Sequence, residues 1–382
     1  MKESLQPVEV KADLLSQGMQ VTEQMIAKYG PPYLLKRRAY GNPDPLRFKD
    51  VGLPQEIYIN PGDEQLVVSV NVKDDSPWKL DYRDGQHVLV DAQGQPQPIG
   101  FPKRPDFYDA QMSTRQKVSQ LITLYGGASL GIFAYGNCAL ADMDKACQYC
   151  SIAPNRERQV EFEHAVSEPK LEEALRLTLR QLPSQVNQVM LNGGNFPDRD
   201  NSFRHYTRLA RRIAEIIKEE GAAIAPHLIV YPPKSLDLIE ELDGAGVSVA
   251  MNTEVYNPEL FRKYCPGKVA TGGREHIFDA LSKTVDVLGK GHVFSIMVGG
   301  LEPVESLDEG LHFLAENGVN PVINVLHTDP ETPLEAFPNP KKEAILEMGS
   351  RLQRVYREYN YKAFYVDCGR NSIDTEASKN LF

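Results

Sequence analysis

The sequence predicts an α/β fold, a partial, TIM-like (βα)6 barrel preceded by an N-terminal α+β extension. Three observations predict it. From about residue 127, apolar runs of strand length alternate with amphipathic stretches of helical length, six times in succession. Those runs, such as "VNQVMLNGG" and "HVFSIMVGG", are continuously apolar, which suits parallel strands covered on both faces by crossover helices. Before residue 126 the rhythm is absent, and short runs alternate with turn-rich connections. Six units fall short of the eight that close a full barrel, so the sheet is expected to stay open. The expected division is residues 1–125 as a helix plus small β-meander, 126–335 as the partial barrel, and 336–382 as a helix and tail that close it.

The elements follow in order. Residues 10–30 place Leu14, Leu15, Met19, Val21 and Met25 at helical spacing, and "YGPP" is expected to end that helix. "EQLVVSVNV" and "QHVLVDAQG", separated by "DG" and "GQPQP" turns, read as meander strands. "STRQKVSQLITLYGG" reads as one more helix, with Ser113 as its N-cap. The barrel strands are "ASLGIFAYG", "VNQVMLNGG", "AAIAPHLIVY", "VSVAMNTEV", "HVFSIMVGG" and "NPVINVLHT". Their helices are "EPKLEEALRLTLRQL", "SFRHYTRLARRIAEIIKEEG", "SLDLIEELDGAG", two stretches ending at Leu288, "SLDEGLHFLAENG" and "KKEAILEMGSRLQRVYREY".

Composition narrows the class. The chain has 382 residues, enough for one large barrel or two domains, and 25% of them are charged, ordinary for a soluble globular protein. No apolar run reaches the roughly 18–20 residues of a membrane span. The N-terminus lacks the apolar core and cleavage site of a secretory signal, so a cytoplasmic location is expected. A net charge of −10 argues against a nucleic-acid partner. The basic stretch Leu34–Tyr40 reads as solvated surface.

Chemistry concentrates in "YGNCALADMDKACQYCSI". Cys138, Cys147 and Cys150 fall within thirteen positions, on the loop after the first barrel strand. In a reducing compartment such a cluster reads as metal-binding or catalytic. Three thiolates are one short of the usual structural zinc set, and a zinc site completed by the nearest histidine, His164, is one reading. The other is a 4Fe-4S cube held at three corners, whose fourth iron keeps an open position for a ligand.

This loop resembles the cluster motif of the radical S-adenosylmethionine (SAM) enzymes, with C-x8-C-x2-C in place of the usual C-x3-C-x2-C. The resemblance implies that Cys138, Cys147 and Cys150 bind the cube and that SAM chelates its open iron. Tyr149, the aromatic between the last two cysteines, would pack near the adenine. "LNGGNFP" resembles the family's Gly-Gly-Glu turn, with Gly193 and Gly194 in place and Asn195 where glutamate is common. This implies a contact to the methionine amino group, with the charge lost. "AMNTEVYNPELF" resembles the N-x-D/E stretch of the biotin and lipoyl synthases. Asn252 and Glu254 would contact the ribose and amino group. "FSIMVGGLEP" resembles the small-residue turn beside the adenine, with Ser295, Gly299 and Gly300 allowing close approach. The arginine that some relatives use for the methionine carboxylate has no clear counterpart, and Arg274 and Lys268 are its candidates. The resemblance spans roughly residues 127–330.

A radical SAM enzyme is therefore expected, cleaving SAM reductively and using the 5′-deoxyadenosyl radical to take hydrogen from a small-molecule substrate in cofactor or natural-product biosynthesis. It implies an electron donor such as a flavodoxin or ferredoxin. Methyl or sulfur transfer, and a non-catalytic metal-binding barrel, are the alternatives. His327 and Asp329, in "VLHTDPE" after the sixth strand, and Tyr135, ending the first, are candidates for the catalytic site. So is Cys368 if the C-terminal segment reaches the barrel mouth. Cys265 stands alone in sequence and reads as a buried structural thiol.

Overall fold

The computed structural model describes residues 6–28, 55–62, 64–154 and 165–382. "YGPP", Leu34–Tyr40 and His164 lie outside the described residues. The chain begins with helix α1 (Pro7–Gln17), strand β1 (Gln20–Val21) and helix α2 (Glu23–Lys28). The single helix expected over residues 10–30 is thus two. The break falls at Gly18, whose φ of +67° suits glycine and where a Cβ would meet the Asn71 carbonyl oxygen at 2.5 Å. Strands β2 (Glu56–Ile59), β3 (Leu66–Ser69), β4 (Lys79–Arg83), β5 (Gln86–Val90) and β6 (Pro96–Gly100) follow. With β1 they form a six-stranded sheet in the order β1-β4-β5-β6-β2-β3, antiparallel except for the β1–β4 pair.

The helix expected from Ser113 is absent. A short 3-10 turn (Val118–Gln120) leads into strand β7 (Ile122–Tyr125), which turns through Gly126 and Gly127 and pairs antiparallel with β8 (Ser129–Tyr135). The Gly-Gly turn and the hairpin pairing with β8 outweigh the local helical spacing. Ser113 instead donates its backbone N–H and hydroxyl to the Glu173 carboxylate, at 2.6 and 2.8 Å. β7 thereby joins the barrel sheet, across the boundary expected near residue 125.

Beyond β8 the parallel strands are β9 (Gln188–Gly193), β10 (Ala225–Ile229), β11 (Ser248–Ala250), β12 (Val293–Gly299) and β13 (Asn320–Val325). They lie side by side in sequence order. Their connections carry α3 (Ala139–Asp142), α4 (Glu168–Leu179), α5 (Arg199–Glu219), α6 (Pro258–Tyr264), α7 (Pro266–Ala270), α8 (Gly273–Leu288) and α9 (Val304–Glu316). The third connection, expected as an α-helix, is the 3-10 helix Leu236–Leu242. α10 (Lys342–Tyr359) and α11 (Asp374–Ser378) finish the chain.

Continuous apolarity holds for β12, where every residue is buried. In β8 it gives way to alternation: Ile132 and Ala134 are buried in the main core, while Phe133 and Tyr135 are only half-buried. Asn192 on β9 and His227 and Ile229 on β10 are half-buried too. The strand faces inside the curl are therefore covered less completely than β12, and in barrels of this kind sites lie at the C-terminal strand ends.

The open edges, β13 and β7, are bridged by the C-terminal segment. Val325 N–H donates to Asn371 O at 2.9 Å and Ile373 N–H to Ile323 O at 3.2 Å, extending β13. On the other side the Arg370 guanidinium lies 4.1 Å from the Tyr125 ring centroid. Phe364, Tyr365 and Cys368 pack with Met190, Phe294 and Val322 inside the sheet's curl. The N-terminal extension is fastened to this seam, since buried Lys11 of α1 pairs with Glu376 at 2.7 Å.

Candidate active site

β8 delivers the chain to the cysteine loop. Cys138 starts α3, its carbonyl accepting from Ala141 and Asp142 N–H at 2.9 and 3.1 Å. A turn closed by Cys150 N–H to Cys147 O, 2.9 Å, then puts the last two cysteines side by side. Cys138, Cys147 and Cys150 line one small cleft whose other walls include Leu140, Ala146 and Ile152. All three are half-buried free thiols. Among the described residues no three Cys, His, Asp or Glu side chains converge as ligands of one metal ion would. A cube, by contrast, offers each sulfur a separate iron. Burial, and then the neighbouring Cys147, push the Cys150 thiol up. A hydrogen bond from Cys265, helped by Lys268, holds Cys147 below the ordinary thiol value despite burial.

The glycine turn after β9 braces this loop. A Cβ on Gly194 would meet the Asn137 carbonyl oxygen at 1.8 Å and Cys138 Cβ at 2.9 Å, so the two segments touch only because residue 194 has no side chain. Ala139 N–H donates to Asn195 O at 2.8 Å, and Asn195 Nδ2 lies 3.8 Å from Cys138 Sγ. The Gly194 carbonyl accepts from the buried Tyr206 hydroxyl at 2.7 Å. Gly193 sits beneath Tyr135, whose ring packs edge-on against Phe196 at 4.5 Å. Tyr135 is thus at the rim, next to the cysteine loop.

After β11 the chain holds Asn252 and Glu254 at the same rim. Asn252 Oδ1 is buried without a hydrogen-bond partner, which costs about 1–3 kcal/mol unless a ligand supplies a donor. Glu254, 8% exposed, has φ +66°, a sparsely populated region for a residue with a side chain. That backbone is over-determined by Glu254 N–H to Ile296 O, 2.9 Å, and Val298 N–H to Glu254 O, 2.8 Å. Its carboxylate pairs with Lys268 Nζ at 2.7 Å, and Nζ also donates to Asn252 O at 3.0 Å. Burial alone would lower Lys268, yet Glu254 together with Cys147 and Cys265 outweighs it and keeps the ammonium charged. Arg274 is occupied elsewhere, bonded to the Tyr256 carbonyl and stacked on Tyr256 and Phe278.

The turn after β12 serves packing. Ser295 is fully buried, accepting Thr253 N–H at 2.9 Å. Side-chain space at Gly299 is filled by Met348 of α10, and at Gly300 by Pro340. The small residues there let the outer layer pack closely on this turn. Glu302 of the same turn accepts from Tyr256 and Asn257 N–H, both at 2.8 Å, and so fixes the loop that carries Glu254.

His327 and Asp329 follow β13, with His327 Nδ1 3.3 Å from buried Asp329 Oδ1. Their loop reaches the cysteines, since Leu334 N–H donates to Gln148 O at 3.3 Å. Cys368 does not share this rim. It is fully buried against Gly126, before β8 begins, whereas Cys138 follows β8, a strand of about 23 Å. Cys265, which the sequence left as an isolated thiol, is buried as read but stands beside the cluster motif. Tyr149 Oη, on a half-buried ring, is 4.0 Å from Cys265 Sγ, and Gln148 N–H donates to Tyr264 O at 2.9 Å. No local signal in "KYCPGK" announces that neighbour.

No family model matches the chain. A stretch of 132 residues, 34% of the chain, is 29% identical to bacteriochlorophyllide c C-7(1)-hydroxylase of Chlorobaculum limnaeum, and the match spans 33% of that protein. Solved structures similar to the chain include methylornithine synthase (TM-score 0.47, 17% identity, 66% of this chain and 71% of that one). A radical SAM methyltransferase from Sphaerobacter thermophilus gives TM-score 0.45, 14% identity, and 78% and 81% coverage. The hydrogenase maturase HydG gives 0.49, 12%, and 65% and 56%. Among the described residues no helix is long and apolar enough to cross a membrane.

Proposed function

We propose that this protein is a radical SAM enzyme that abstracts hydrogen from a small-molecule substrate. The observation that carries the reading is the cleft lined by Cys138, Cys147 and Cys150 on the loop after β8, with Glu254 close enough for its charge to act on Cys147. The donor set fits a 4Fe-4S cube: three thiols on one loop, with apolar walls, and a buried acceptor, Asn252 Oδ1, still lacking a donor. When bound, the cube and SAM supply one-electron cleavage and the hydrogen-atom abstraction that follows.

The chain's own part is to hold and to exclude. Cys138, Cys147 and Cys150 would ligate three irons. Asn252 Oδ1 would accept from the hydroxyl or ammonium groups of SAM, and the Glu254–Lys268 pair would offer one charge of each sign to an amino-acid moiety. Tyr135, His327 and Asp329, at the same rim, would face the substrate. The seam made by Phe364, Tyr365 and Cys368 closes the inner end of the curl, keeping water from a reactive intermediate. The hydroxylase with which a third of the chain shares 29% identity supports a C–H bond as the target. A flavodoxin- or ferredoxin-like reductant is implied.

The test is anaerobic reconstitution with iron and sulfide, followed by dithionite and SAM. 5′-Deoxyadenosine should form above the enzyme-free control, and Cys147→Ala should abolish both the brown colour and the product. A wild-type protein that holds no iron, or forms no product, overturns the proposal.

A further inference from the structure

Two of the three candidate ligand sulfurs have a side-chain donor at hand. Asn195 Nδ2 lies 3.8 Å from Cys138 Sγ. Cys265, with no exposed surface, stands beside the turn that carries Cys147, the hydroxyl of Tyr149 lying 4.0 Å from its Sγ. Both placements are rigid, because each donor's backbone is laced to the backbone of the cysteine loop. Asn195 O takes Ala139 N–H at 2.8 Å, one residue past Cys138, with Gly194 pressed against Asn137. Tyr264 O, one residue before Cys265, takes Gln148 N–H at 2.9 Å, one residue past Cys147.

We propose that Asn195 and Cys265 are hydrogen-bond donors to the thiolates of Cys138 and Cys147 and that they raise the reduction potential of the bound iron–sulfur cube. The inference rests on the cluster reading above. A donor withdraws negative charge from a thiolate ligand and so favours the state that carries one more electron. The low dielectric of a buried site strengthens the effect. The proposal also accounts for asparagine at position 195. A glutamate there would set a second anion against Cys138, whereas an amide presents a proton to it. Cys265 is assigned as a donor and not as a fourth ligand for a geometric reason. Its side chain does not line the cleft that Cys138, Cys147 and Cys150 share.

The experiment is a dye-mediated redox titration of the anaerobically reconstituted full-length protein, followed by the electron paramagnetic resonance signal of the reduced cube, with iron per chain measured on the same samples. Asn195→Asp and Cys265→Val, a near-isosteric loss of the donor, should bind as much iron as wild type yet shift the midpoint negative. Cys265→Ser, which keeps a donor, should stay near wild type, and the Asn195→Asp/Cys265→Val double variant should shift further than either single variant. Unchanged midpoints at full iron content overturn the proposal while leaving the cluster reading intact. A folded Cys265→Val protein short of iron also overturns it, since that is the behaviour of a ligand. Wild type without iron removes the cluster reading and this inference together.

Discussion

Lys268 and Glu254 show how much one residue pair can carry. Both side chains are nearly buried, 8% and 11% exposed, and the pair lies on two segments that no local pattern connects. Their attraction offsets desolvation only while both are present. Replacing Lys268 with Met should therefore destabilise the fold by about 3–5 kcal/mol, because it strands the Glu254 carboxylate. The double variant Lys268→Met/Glu254→Gln should recover most of that loss. Urea unfolding of wild type and both variants checks it, and equal stability of single and double variants would rule out the pair as a stability determinant. Of the residues named from sequence, Asn252 and Glu254 follow β11 at its C-terminal end. Ser295, Gly299 and Gly300 do not open toward it, because residues with small side chains serve helix packing as readily as ligand approach.

At the scale of elements, the β9 turn and the cysteine loop form one unit. Gly194 is the contact point, and the unit exists because no Cβ intervenes. Gly194→Ala should push Asn137 and Cys138 away from β9. We expect most reconstituted iron to be lost while the far-ultraviolet circular dichroism persists, since the parallel sheet does not depend on this loop. Wild-type iron content in that variant would show that the loop tolerates displacement. The turn was legible in "LNGGNFP", and so was its position at a strand end. That its glycine faces the cysteine loop was not, because a motif states spacing along one segment and not which neighbour lies against it. The helix expected from Ser113 failed for a related reason: "ITLY" has a partner strand three residues further on, and pairing decides its state.

At the scale of the whole molecule, the tail closes what six strands leave open. His227 records that closure. Its ring packs edge-on against Phe364 of the tail at 4.8 Å, Nδ1 has no hydrogen-bond partner, and burial, then His292, push it down to about 4. The folded value lies below the unfolded one, so the unfolded chain takes up the proton first. Stability is therefore unaffected above about pH 6.5 and falls as pH drops toward 4, by about 2 kcal/mol after allowance for residual exposure. His227→Phe should flatten that slope in urea titrations between pH 7.5 and 4.5. An unchanged slope would place the acid sensitivity elsewhere.

The sequence by itself determined the alternation of strands and helices, their order, and the loop on which three thiols gather, because periodicity and spacing are properties of contiguous residues. Tertiary structure alone decided that Cys265 stands beside Cys147, that Cys368 lies a strand's length from the cysteine loop, and that Lys268 neutralises Glu254. Each of these joins residues far apart in the chain. Such contacts are set by how twisted strands and crossover helices stack, and stacking leaves no mark on any single stretch.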